Sequence, residues 1–244
     1  MRNLGILLAT CLLSLLNLSG SWLTAAQQAP RSPRLFNPKN AELLEEPSRD
    51  GWQKPAQAVL ALKLQPGDVV ADIGTGSGYF VPYLSAAVGP SGRVLAVDIQ
   101  PEMLAFVERK VSELGLTNVN TVLSQEADTR LEPESVDLVL MVDVYHELGS
   151  PSLLLSNIRA ALKPNGRFSI IDFKRDKEAA EVGPPLSHRV PQERVISELK
   201  RTGFELVESL TILPYQYFLV FSRTNAAAGL TDLTGDESTG SAPQ

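Results

Sequence analysis

Cysteine is nearly absent: the chain carries one, Cys11, and it falls inside an apolar N-terminal run. With that run removed no thiol is left, which excludes disulfides, thiolate catalysis and cysteine-based zinc sites. Histidine is almost as scarce, with His146 and His188 the only two. Neither has a close carboxylate at H-x-x-E spacing, so no metal is expected. An excess of positive charge is missing too. The net charge of −6 offers no basic face to a phosphate backbone and argues against nucleic acid as a partner. No internal repeat is present. What remains suits a globular domain: 244 residues, 43% hydrophobic and 20% charged, enough for one domain with extensions at its ends.

Both extensions can be read. Arg2 supplies a positive start, residues 4–18 form an apolar stretch of 15 residues, and Thr24-Ala25-Ala26 offers small residues for cleavage before Gln27. Cys11 sits within the apolar stretch rather than behind it, which argues against lipidation. Residues 1–26 therefore read as a signal peptide, and the protein as exported to the periplasm or medium. Arg31, Arg34 and Lys39 follow the run, so an uncleaved membrane anchor is the alternative. Residues 27–48 carry Pro30, Pro33, Pro38 and Pro47 among polar residues and read as a linker or wrapping arm. Residues 224–244, rich in Ala, Gly, Ser, Thr and acids, read as a disordered tail. The domain proper is expected over 49–223.

Within it, short apolar runs alternate with helical stretches. Strands are expected at Val69–Ile73, Val94–Asp98, Val119–Leu123, Val136–Val142 and Phe168–Asp172, with helices at Tyr79–Val88, Pro101–Leu114 and Ser152–Leu162. Gly89-Pro90, Gly115 and Pro164 supply the stops. Such alternation predicts a doubly wound, mostly parallel α/β sheet with helices on both faces. The end differs: a helix at Pro191–Thr202, then strands at Phe204–Thr211 and Tyr217–Ser222 joined by a link too short for a crossover helix, hence antiparallel. One further helix over residues 52–62 is placed to close over a site.

In such sheets ligands lie at the carboxyl ends of the strands. The loop after the first strand is Asp72-Ile73-Gly74-Thr75-Gly76-Ser77-Gly78-Tyr79. Its glycines let backbone approach a ligand closely. A dinucleotide loop needs G-x-G-x-x-G, and Tyr79 stands where its third glycine would be. An NAD-dependent oxidoreductase is thus the weaker alternative. Asp72 would repel phosphate but can hold an ammonium, so the loop suits a cationic, phosphate-free nucleoside. Asp98 ends the second strand about 20 residues beyond the glycines, where a carboxylate can accept both ribose hydroxyls; it can equally cap the helix that begins at Pro101. Glu126 and Asp128, after the third strand, are candidates for an adenine amino group.

Together VVADIGTGSGYF, AVDIQPEML, ESVDLVLMVDVYHEL, IRAALKPNGRFSIIDF and the final hairpin resemble the class I S-adenosylmethionine (SAM)-dependent methyltransferases, in order and spacing, over roughly Trp52 to Arg223. VDVYHEL, LSHRV and LPYQY resemble a bacterial subfamily of these enzymes with no settled substrate. The resemblance implies three layers and a seven-stranded sheet of order 3-2-1-4-5-7-6, the seventh strand antiparallel. It implies SAM as cofactor, with Asp72, Gly74, Gly76 and Gly78 at its methionine part, Asp98 at the ribose, Glu126 or Asp128 at the adenine, and Thr75, Ile99 and Met103 among the other cofactor-binding residues. The alternative within the fold is a non-catalytic SAM- or nucleoside-binding module.

Methyl transfer from a sulfonium is an in-line displacement that depends on alignment and exclusion of water. A general base helps only when the acceptor must lose a proton. His146 follows the fourth strand at the edge where the methyl should sit, and is the base candidate; packing or a carbonyl bond is its other reading. His188 lies in the segment 174–190 expected to cover the acceptor. Asp143 is a candidate to orient the acceptor, and Tyr145 to wall the sulfonium. A small-molecule acceptor is expected.

Overall fold

The computed structural model describes residues 34–224. The expected leader at 1–26, the start of the arm and the tail beyond Thr224 lie outside the described residues. Seven strands, β1 (Val69–Ile73), β2 (Arg93–Asp98), β3 (Val119–Leu123), β4 (Val136–Val142), β5 (Leu162–Phe173), β6 (Phe204–Leu210) and β7 (Gln216–Arg223), form one sheet. Its order is β3-β2-β1-β4-β5-β7-β6. Only β7 runs antiparallel to its neighbours. This is the order that the resemblance implied.

Side chains alternate across a strand, and every central strand uses both faces. Val70, Leu138, Leu140, Ile171, Phe218 and Val220 pack with Ala58 and Val59 of α2 (Pro55–Ala61) and with Leu84 and Val88 of α3 (Val81–Val88). Their neighbours in sequence, Ala71, Val139, Met141, Ile170, Leu219 and Phe221, face the other way. They pack with Leu155 and Ile158 of α5 (Ser152–Ala161) and Val195 and Leu199 of α6 (Gln192–Arg201). Each fully buried Leu, Ile or Phe contributes about 1.5–3 kcal/mol. Two cores back to back make the three layers. The helix α4 (Pro101–Leu114) adds Val107 to a smaller cluster with Val81 and Ala96.

Three boundaries differ from expectation, each for a local reason. β5 begins at Leu162 rather than Phe168, because Pro164-Asn165-Gly166 form a bulge within the strand: Val136 pairs with Leu162, yet Leu138 pairs with Arg167. α3 starts two residues later than expected, at Val81, with a proline in its first turn. The helix expected over 52–62 is two helices, α1 (Arg49–Gln53) and α2, broken at Lys54 (φ 46°, ψ 56°). Pro55 disfavours helical geometry at the residue before it. That break lets α2 stay in the core while α1 turns over the carboxyl ends of the strands. At the edges, Pro38–Glu45 forms a 3-10 helix, and the Thr224 N–H is fixed by the Gly203 carbonyl at 2.9 Å.

Candidate active site

A cavity of about 370 Å³ opens at the carboxyl ends of β1, β2 and β4, where a doubly wound sheet binds its ligands and within the usual size of a small-molecule site. Its floor is the glycine loop. Gly74 sits at φ 70°, and a Cβ there would overlap the Val144 side chain. Gly78 does something else: it lies off the cavity lining, and a Cβ there would come within 3.1 Å of the Val107 side chain of α4. The expected contact between Gly78 and a ligand is thus replaced by packing.

Two buried carboxylates flank the loop. Asp72, at the end of β1, accepts a hydrogen bond from the Thr75 hydroxyl at 2.8 Å. Burial and the nearby Asp98 charge push its pKa up to about 7, against the pull of Thr75. It has no ion pair among the described residues. Asp98 accepts the Gly76 and Gln100 N–H groups, both at 2.9 Å. Burial raises its pKa in spite of those bonds. It does not cap α4, whose N-cap is Gln100; it is 6% exposed and clamps the glycine loop instead.

The remaining cofactor candidates separate. Thr75, Gly76, Ile99 and Met103 line the cavity, as does the exposed Glu126. Asp128 lies outside the lining, because its carboxylate is spent on Arg130 at 3.1 Å. Thr129, which sequence reasoning passed over, lines the cavity in its place.

The opposite side is a network. Asp143 follows β4 with φ 58°, a conformation uncommon outside glycine and a sign of constraint. Its carboxylate accepts from Gln53 Nε2 at 2.9 Å and from Gln216 Nε2, and lies 3.6 Å from the Arg49 guanidinium. Arg49 in turn stacks over the Tyr79 ring at 4.3 Å. Burial and the Asp172 charge push Asp143 up to about 6, partly offset by Arg49, Gln53 and His146.

Beside it, His146 and Asp172 form a buried pair: the backbone N–H and Nδ1 of His146 each reach a carboxylate oxygen at 2.9 Å. Burial alone would lower the histidine pKa, but Asp172, with Asp143 and Glu147, raises it to about 9. The pairing favours the imidazolium form, one ring nitrogen is taken by Asp172, and the residue lies off the cavity lining. The structure thus sets the expected base behind the cavity wall rather than on it. Tyr145 is also misplaced as a wall: it is fully buried on the α5–α6 side and donates to Glu198 at 2.6 Å. His188 is half-buried outside the lining. Its neighbour Arg189 organises that segment, donating to the carbonyls of Lys174, Ala179, Val182 and Pro184.

The arm closes the top. The Arg34 N–H donates to the Glu147 carbonyl at 3.1 Å, Gln100 Nε2 to the Phe36 carbonyl at 3.1 Å, and Lys110 pairs with Glu45 at 2.6 Å. Arg34, Leu35, Phe36 and Leu44 line the cavity. None of these was foreseen individually, nor were Arg49, Gln53, Glu147, Asp172 and Gln216. Asp172 alone had a usable signal, since it sits near the carboxyl end of a strand.

A family model described as a methyltransferase domain matches residues 64–207. An arsenite methyltransferase of Halobacterium salinarum is 28% identical over 153 residues, 59% of this chain and 39% of that protein. A ubiquinone/menaquinone biosynthesis C-methyltransferase of Pasteurella multocida is 29% identical over 46% of this chain and 42% of its own length. The chain thus spans about two-fifths of these two curated relatives. Among solved structures, a SAM-dependent methyltransferase from Aquifex aeolicus superposes with a TM-score of 0.73 at 32% identity, covering 77% of this chain and 98% of that one.

Proposed function

Because the chain belongs to the family of methyltransferase domains whose cofactor is SAM, we propose that it transfers a methyl group from SAM to a small molecule held beneath the arm. The observation that carries this reading is the pair of carboxylates around the glycine loop. Asp72 is buried without a cation among the described residues, and a ligand bearing an ammonium group would supply one. Asp98 is fixed by two backbone N–H groups at the place where ribose hydroxyls can be accepted. Gly74, Thr75 and Gly76 admit the ligand backbone to backbone, Ile99 and Met103 offer apolar walls, and Glu126 stands at the far end for an amino group. When bound, SAM supplies a methyl group activated by its sulfonium. The chain contributes position and dryness: the arm roofs the cavity, and Asp143 is locked at its wall.

The arsenite of one relative does not transfer readily to this chain. A thiophilic ion calls for thiolates, and the one cysteine here is Cys11.

Titration calorimetry with SAM tests the cofactor half. Wild type should bind, and Asp98→Ala should lose about tenfold or more in affinity, the effect of one strong hydrogen-bonding group. Equal affinity in both proteins would remove Asp98 from the site. Where the domain works rests on its leader: a native N-terminus at Gln27 supports export, and one that retains residues 1–26 supports anchoring.

A further inference from the structure

The carboxylates around the cavity are not equivalent. Asp72 holds Thr75, Asp98 holds two backbone N–H groups, and Asp143 is saturated by Gln53, Gln216 and Arg49. Glu147 lines the same cavity, on the 3-10 turn that follows β4, and its carboxylate has no hydrogen bond or ion pair among the described residues. Its backbone is used on both sides: the carbonyl accepts the Arg34 N–H under the arm, and the N–H donates to the Val144 carbonyl. A half-buried carboxylate left free at the acceptor edge is the group that the wall leaves available for chemistry.

We propose that Glu147 faces the transferred methyl group and takes the proton from an amine acceptor. The proposal rests on the methyltransferase reading of the cavity. An amine arrives as an ammonium ion, which has no lone pair to attack with. Its proton passes to a Glu147 oxygen, and the freed nitrogen pair forms the N–C bond as the C–S bond breaks, with that electron pair staying on sulfur. The surroundings favour a cationic guest, since Asp98 and Asp143 line the cavity with Glu147. Arg49, a cation on that wall, is already matched by Asp143. The groups acting on Glu147 are His146, which lowers its pKa, and Asp172, Asp98 and Asp143, which raise it. With burial as the largest cause, the carboxyl titrates at about 7. It can therefore both accept and release a proton near neutral pH.

Sinefungin provides the probe, because in it an amine stands where SAM carries the methyl. Calorimetry compares sinefungin with S-adenosylhomocysteine, which carries nothing there, in wild type, Glu147→Gln and Glu147→Asp. Wild type should prefer sinefungin by about tenfold or more, as a charge-assisted contact requires. That preference should weaken as pH falls through about 7. Glu147→Gln should lose most of the preference while its affinity for S-adenosylhomocysteine stays within about twofold, and Glu147→Asp should keep part of it. An undiminished preference in Glu147→Gln overturns the proposal. So does parallel loss of both ligands in that variant, which would make Glu147 a cofactor or folding residue. A wild type that binds neither nucleoside sinks the methyltransferase reading itself, and the proposal with it.

Discussion

The two ends of the cavity are built differently. The cofactor end is compact: Asp72 and the glycine loop follow β1, and Asp98 ends the neighbouring β2, joined to the loop by the Gly76 N–H. The acceptor end is assembled from afar. Gln53, Asp143, His146, Asp172 and Gln216 come from four separate stretches of chain and are joined by side chains. A backbone-built site tolerates drift in the side chains around it. A side-chain network in a buried wall leaves a charge or a polar atom uncompensated when any member changes. The two ends should therefore fail in different ways: the cofactor end through lost binding, the acceptor end through lost folding.

The largest effect is expected from Asp172→Asn. It removes the anion from a fully buried pair and leaves His146 without its counter-charge. Breaking a buried pair by removing one partner costs about 3–5 kcal/mol. For a chain of this length that lowers Tm by roughly 6 °C or more. Affinity for S-adenosylhomocysteine, measured below the new Tm, should change less than about threefold, since Asp172 touches no group of the glycine loop. A melting temperature close to that of wild type would show that the pair carries no structural weight.

Gly74→Ala should show the reverse. The new side chain must adopt φ 70° and overlap Val144. The left-handed conformation alone costs about 1–2 kcal/mol, a smaller loss of stability than Asp172→Asn. Binding suffers more, because the loop must shift where backbone meets ligand, and an affinity loss of about a hundredfold is expected. The double variant Gly74→Ala/Val144→Ala relieves the overlap but not the backbone strain. It should recover part of the binding, and an unimproved double variant would mean that Val144 is not what the added methyl meets.

The same contrast explains what the sequence disclosed. The glycine loop is a motif of adjacent residues and Asp98 ends the next strand at a recognisable distance from it, so spacing located both, and six of seven strands began within one residue of expectation. β5 was displaced because a bulge at Pro164-Asn165-Gly166 reads as a turn, and β7 began one residue early, at Gln216. The network was hidden. Gln53 and Gln216 are ordinary amides until the fold sets them on Asp143, 90 and 73 residues away along the chain. His146 was noticed for its rarity but misjudged, because the residue that keeps it charged lies 26 positions downstream. Tyr145 was read as a wall because it neighbours the site in sequence. In the fold its ring points into the α5–α6 core.

The smallest effect, and the finest test of the contrast, is the dependence of stability on pH without ligand. Asp72 titrates at about 7 in the fold against 3.8 for its ordinary value. The folded chain thus holds a proton that the unfolded chain releases. The stability this confers is complete below about pH 4 and is lost as pH rises toward 7. His146 titrates at about 9 in the fold against 6.5 ordinarily. Its contribution is complete below about pH 6.5 and is lost as pH rises through 9. Asp143 and Glu147 at the acceptor end, raised to about 6 and about 7, share the lower window with Asp72, and His146 carries the upper one, each group adding a slope of at most about 1.4 kcal/mol per pH unit. Thermal melts from pH 5 to 9 should show Tm falling throughout. Asp72→Asn should remove its share of the fall between pH 5 and 7, leaving that of Asp143 and Glu147, and leave the fall between about 8 and 9 unchanged. If that variant runs parallel to wild type below pH 7, Asp72 is not the buried, unmatched carboxylate on which the cofactor assignment depends.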